Sequence, residues 1–130
     1  KALPSGVKMF TLVEGKGKQP NHTQQVMVNY AGYLANGTLF DSNVKEIEET
    51  YGKYNAMREQ QGGYQAFPME YNSNAPLIPG FKEALLKMKV GDKVRVFIPA
   101  ALGYGERGAG EVIPPNSDLI FDIEITDIAK

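Results

Sequence analysis

The chain has 130 residues, 42% hydrophobic and 22% charged, with 14 Lys and Arg against 15 Asp and Glu for a formal net charge of -1. That size predicts one globular domain over 1–130 whose core needs no disulfide or metal, and the charge balance leaves no footprint for nucleic acid or an anionic membrane. No cysteine and a single histidine, His22, exclude thiol nucleophiles, Cys-based zinc sites and poly-His metal centres, and leave a Ser-His-Asp triad little room.

The start, Lys1-Ala2-Leu3-Pro4, has no initiating methionine and no charged-then-apolar leader, so the chain is read as a processed or excised domain with residues 1–6 linker-like. The longest apolar stretch, near Val96 to Leu102, is far short of the ~20 residues of a spanning helix and contains Pro99. Absence of cysteine suits a periplasm as well as a cytosol.

Glycine and proline fall between short β-rich runs, the pattern of an antiparallel β protein. Val7 to Val13 is the first expected strand, and Gln25 to Leu34 the second, with Val26, Val28 and Tyr30 on one face. Asn36-Gly37 signals a hairpin turn before Thr38-Leu39-Phe40. From Asp41 to Tyr64 the spacing of Val44, Ile47, Tyr51 and Tyr54 predicts an amphipathic helix interrupted at Gly52, with Asn43 and Glu46 as a capping box. Ala66 to Tyr71 returns to strand, where Pro68 suggests an edge or a bulge. Pro79-Gly80-Phe81 opens a short helix lining up Phe81, Ala84, Leu85 and Met88, and Lys93 to Ile98 and Leu119 to Ile125 alternate as strands. Between them, 103–116 is a long loop, a length that in compact domains is usually functional. The expected fold is α+β: a curved antiparallel sheet of about five strands wrapped over one short helix, with an insertion over 43–66 that is helical at about 43–60.

Few residues are placed for chemistry. Glu46, Glu48, Glu49, Asp122, Glu124 and Asp127 fall on expected solvent faces. Asp41 follows an apolar strand end, where it either caps the insertion helix or stands at the rim of a pocket. There it needs hydrogen-bond donors, a tyrosine hydroxyl foremost. The string Gly103-Tyr104-Gly105-Glu106-Arg107-Gly108 has the letters of a dinucleotide fingerprint without the strand-turn-helix context it requires. His22 lies in a polar loop, and Asn21-His22-Thr23 and Asn36-Gly37-Thr38 match the N-glycosylation string. Tyr30, Phe40, Phe67, Phe81, Tyr104 and Phe121 form either a plain core or an aromatic pocket; the apolar loop residues Val112-Ile113-Pro114-Pro115 raise the second reading.

The strings Tyr30-Ala31-Gly32-Tyr33-Leu34, Phe40-Asp41-Ser42, Leu77-Ile78-Pro79-Gly80-Phe81, Met88-Lys89-Val90-Gly91-Asp92, Gly103-Tyr104-Gly105, Val112-Ile113-Pro114-Pro115-Asn116 and Leu119 to Glu124 occur in order from about Val7 to Ile128. Together with Asn36-Gly37-Thr38 they resemble an FKBP-type peptidyl-prolyl cis-trans isomerase, and the start Leu3-Pro4-Ser5-Gly6-Val7 is similar to the entry into the FKBP domain of larger bacterial foldases. The resemblance implies an isomerase of X–Pro bonds with no cofactor and no metal. Its implied catalytic group is Asp41 at the rim, Tyr104 donating its hydroxyl to a substrate carbonyl, Phe40, and the Ile78 backbone N–H binding a second carbonyl. Implied substrate-binding residues are Tyr30, Phe67, Leu77, Phe81, Val112, Ile113 and Phe121, with Phe81 as floor where the family most often has tryptophan. Implied partners are proline-containing peptides, unfolded protein clients and a macrolide ligand, in a bacterial periplasm or secreted rather than cytoplasmic. The alternative is a non-catalytic chaperone or proline-peptide binding module of the same fold. For the insertion, two readings stand: docking on the domain's own body, or a partly exposed client-binding surface.

Overall fold

A computed structural model describes residues 2–129. Its elements, in chain order, are β1 (Lys8–Val13), β2 (Gln25–Leu34), β3 (Leu39–Ser42), α1 (Lys45–Thr50), α2 (Ala56–Gln60), β4 (Phe67–Glu70), α3 (Pro79–Leu85), β5 (Lys93–Ile98) and β6 (Leu119–Ile128). The six strands make one open antiparallel sheet in the order β1-β5-β6-β2-β3, with β4 also paired to β2. The expected strand at Ala66–Tyr71 forms as Phe67–Glu70 and pairs along the first half of β2, so the sheet has six strands. Pro68, which has no N–H to give, is accommodated because β4 is an edge strand.

Alternation fixes which face is covered. In β5, Val94, Val96 and Ile98 are buried and Lys93, Arg95 and Phe97 exposed; in β6, Leu119, Phe121, Ile123 and Ile125 are buried. These inward residues and Val26 and Val28 of β2 pack against Phe81, Ala84, Leu85 and Met88, the buried stripe of α3 and its exit. Gly80 permits the close approach: a Cβ there would stand 2.4 Å from an Ile98 methyl carbon. Buried Tyr71 reaches the end of the helix, where its hydroxyl is 3.0 Å from Leu86 O and 2.7 Å from Met88 O. It thereby serves carbonyls left over at a helix terminus.

The insertion is two short helices, and the break falls at Gly52, whose φ of +71° is glycine territory. The expected capping box does not form. Val44 is the N-cap of α1 with no side-chain cap, and its N–H is bonded to Ser42 Oγ. Asn43 instead turns into the sheet, where Oδ1 accepts the Tyr30 N–H at 2.8 Å and Nδ2 donates to Val28 O at 2.8 Å and Gln65 O at 3.1 Å. A second expectation also fails: Glu48 is not on a solvent face but 4% exposed, because the turn of α1 that carries it faces Tyr64 and Arg58. The apolar stripe divides, with Tyr51 against Tyr33 at 5.6 Å between ring centroids and Tyr54 stacked on Tyr64 at 5.8 Å.

Candidate active site

Strand period and helix geometry aim four rings at one place. Tyr30 from β2, Phe40 from β3 and Phe121 from β6 meet Phe81, which the first turn of α3 points at the sheet. Phe81 lies edge-on to Phe121 at 5.1 Å and to Tyr30 at 6.5 Å, and Phe40 edge-on to Phe121 at 5.5 Å. Edge-to-face contacts of this kind suit aromatic quadrupoles and fix ring orientation. Between the sheet edge and the start of α3 they leave a cavity of about 520 Å3, lined by these four rings and by Asp41, Phe67, Met69, Pro76, Leu77, Ile78 and Tyr104.

The polar groups of this cavity are few. Asp41 does not cap the insertion helix: Oδ2 accepts the Tyr30 hydroxyl at 2.6 Å, and Oδ1 accepts Nη1 of Arg58 at 2.6 Å. Burial, reinforced by the bond to Asp41 and by its charge, raises the Tyr30 pKa well above the ordinary tyrosine value, so its hydroxyl stays a donor. For Arg58 burial disfavours the charge, yet the Asp41 bond and charge outweigh it and raise its pKa further. Both oxygens of the rim carboxylate are thus hydrogen-bonded. The Tyr104 hydroxyl and the Ile78 N–H make no hydrogen bond among the described residues, and both residues line the cavity. Ile78 is the extended N-cap residue of α3, which accounts for its unspent N–H. Among the described residues no group of His, Cys, Asp or Glu could hold a metal ion.

Of the residues expected at the site, Tyr30, Phe40, Asp41, Phe67, Leu77, Ile78, Phe81, Tyr104 and Phe121 are brought together in this lining. Phe67 does so while 58% exposed, as an element of the mouth. Val112 and Ile113 stand apart from the lining. Paired backbone bonds between Ala109 and Ile113, 2.9 and 3.1 Å, tie the loop into a tight turn, putting Ile113 in the core at 3% exposure and Val112 outside at 54%. Three participants escaped the sequence reading. Met69 shares a strand face with Phe67 and was open to the same period-two argument, and Pro76 adjoins Leu77. Arg58, 17 residues beyond Asp41 and in the short exposed helix Ala56–Gln60, had no local signal.

The model of FKBP-type peptidyl-prolyl cis-trans isomerases matches residues 16–126. The chain belongs to that family. It is 40% identical over 124 residues to the FKBP-type 22 kDa peptidyl-prolyl cis-trans isomerase of Escherichia coli, covering 95% of this chain and 50% of that one. It is 38% identical over 121 residues to FK506-binding protein 1 of Dictyostelium discoideum, covering 92% and 95%. A crystal structure of a peptidyl-prolyl cis-trans isomerase from Pseudomonas syringae matches with a TM-score of 0.74 and 30% identity, over 100% of this chain and 80% of that one. The chain spans about half the length of the E. coli relative. Within the described residues of this FKBP chain, no helix is long and apolar enough to cross a membrane.

Proposed function

We propose that this chain accelerates rotation about X–Pro bonds in the aromatic cavity, without covalent chemistry or a cofactor. Rotation costs about 18–20 kcal/mol because amide resonance is lost at the twisted geometry, and uncatalysed exchange takes tens to hundreds of seconds. The planar amide is the more polar form and the better hydrated one. An apolar box that takes the proline out of water therefore favours the twisted amide, while fixed donors orient the neighbouring carbonyls. Lowering the barrier by about 4 kcal/mol gives roughly a thousandfold.

The observation that carries this reading is the pairing of four convergent rings with two unspent donors, Tyr104 Oη–H and Ile78 N–H, at one cavity. Tyr104 and Ile78 are assigned to substrate carbonyls, Phe40 and Asp41 with its Tyr30 bond to the wall facing the prolyl ring, and Phe81 to the floor. Phe67 and Leu77 complete the substrate contacts. Proline-containing segments of unfolded chains are the substrates, and a macrolide of the FK506 class is the small-molecule ligand. A periplasmic or secreted location extends the proposal, and fractionation of cells making the natural protein tests it. The activity itself is tested by a protease-coupled assay on a short X–Pro peptide. Acceleration that a macrolide abolishes is the expected result. A rate equal to buffer, with the macrolide still bound, would leave a non-catalytic proline-binding module.

A further inference from the structure

Arg58 is shared by two carboxylates. Nη1 lies 2.6 Å from Asp41 on the cavity side and 3.7 Å from Glu48 on the insertion side. Each carboxylate also takes one tyrosine hydroxyl, Tyr30 on Asp41 at 2.6 Å and Tyr64 on Glu48 at 2.9 Å. The Tyr64 ring carries the guanidinium 5.2 Å from its centroid, and Arg58 Nε donates to Gly63 O at 3.2 Å. The Tyr64 hydroxyl further accepts the N–H of Asn55, the residue whose side chain caps α2 at the Arg58 N–H. A continuous chain of contacts thus runs from Tyr30 in the cavity wall to Tyr64 in the insertion.

Glu48 is the telling member. It is buried in a helix whose other acids, Glu46 and Glu49, are exposed. Withdrawing a carboxylate from water is unfavourable unless it is paired and hydrogen-bonded, and an apolar residue would pack α1 without that cost. A buried charge does what an apolar side chain cannot: it fixes the place and orientation of the cation beside it. Neither Glu48 nor Tyr64 lines the cavity.

We propose that Glu48 and Tyr64 are positioning residues for the isomerase site, holding Arg58 in register with Asp41 so that Asp41 in turn holds the Tyr30 hydroxyl at the cavity wall. On this inference, which rests on the isomerase reading of the cavity, the insertion is a working support of the site rather than a decoration of its rim.

The test combines kinetics with a measurement that needs no substrate. Glu48→Gln, Arg58→Met and the double variant are compared in kcat/KM on an X–Pro peptide, well below their thermal midpoints. Lys45→Met, which removes the exposed Lys45–Glu59 pair and the ammonium over the Tyr54 ring but touches neither Arg58 nor Asp41, is the control. Hydrogen exchange at Arg58 Nε–H is followed by NMR in the parent and in Glu48→Gln. The expected result is a loss of about fivefold in Glu48→Gln, no further loss when it is added to Arg58→Met, and parental activity in Lys45→Met. Exchange at Arg58 Nε–H should quicken about tenfold or more in Glu48→Gln. If Glu48→Gln does not fold, Tyr64→Phe, which keeps the ring and removes only the hydroxyl, takes its place. Parental kcat/KM and unchanged exchange would overturn the proposal, as would a loss that adds in full to that of Arg58→Met. A parent with no isomerase activity would overturn the proposed function instead, and the exchange rate alone would then decide whether Glu48 positions Arg58.

Discussion

Gly32 and Phe40 approach so closely across the β2–β3 pair that a Cβ on Gly32 would stand 2.5 Å from Phe40 Cζ and 2.8 Å from Phe121 Cε1. Both rings line the cavity, so the absence of a side chain at Gly32 is what allows their edge-on contact at 5.5 Å. Overpacking of this kind typically costs ~1–3 kcal/mol. Gly32→Ala is expected to lower the thermal midpoint and to lower kcat/KM by displacing two cavity walls. A variant with parental stability and activity would show that the rings are not held where the structure places them.

Asp41 and Tyr104 contribute unequally. Asp41 is charged and holds both the Tyr30 hydroxyl and Arg58, whereas Tyr104 offers a single neutral hydroxyl. Hydrogen bonds to charged groups are worth ~1.5–3 kcal/mol and neutral ones ~0.5–1.5. Asp41→Asn should therefore weaken macrolide binding more than Tyr104→Phe, with both variants folded, as calorimetry would show. Equal and parental affinities in both would disprove the assignment of the cavity.

How legible this site was depended on the kind of contact. Tyr30, Phe81 and Phe121 could be placed because they follow the inward rows that also carry Val28, Ala84 and Ile123, and a strand or helix period is a local property. The bounds of β2 and β5 followed from the same alternation. Glu48 and Arg58 could not be placed that way. Their partners lie 16 and 17 residues distant, at Tyr64 and Asp41, and a charged residue in a helix of five or six residues carries no mark of being buried. Asn43 misled for a related reason: cap and sheet-bonding roles demand the same short amide side chain, and only the tertiary arrangement chose the second. Family resemblance, rather than pattern, identified Asp41, Ile78 and Tyr104 as a group. It also carried over Val112 and Ile113, which the Ala109–Ile113 turn turns away from the lining.

The cavity floor can be enlarged. Phe81 is nearly buried, but one side of it borders the cavity rather than packed protein. Phe81→Trp is expected to direct its second ring into that space, with stability changed by less than ~1.5 kcal/mol and macrolide affinity increased. A loss above ~3 kcal/mol in denaturant unfolding would mean that Phe121 and Tyr30 already fill the position.

Acid sensitivity should originate away from the site, at Asp92. Burial opposes its charge, but the backbone N–H groups of Lys89 at 3.0 Å and Gly15 at 2.7 Å, with the Lys89 ammonium, outweigh that and hold its pKa below the ordinary aspartate value. These bonds join the loop after β1 to the turn between α3 and β5, where a Cβ on Gly15 would meet Val90 O at 2.3 Å, so no other residue fits beside it. A carboxyl whose folded pKa is depressed adds stability that is complete above its unfolded pKa, near 3.9, and is lost as pH falls through the folded value. Asp92→Asn removes the charge but keeps an acceptor, so it should cost ~1.5–3 kcal/mol at pH 7. The deficit should close as pH drops below about 4, because the parent then loses the same charge. Chemical unfolding of both proteins between neutral pH and pH 3 measures it. A deficit that stays constant over that range would show that Asp92 acts by shape alone and that its ionised form is not what holds the two loops together.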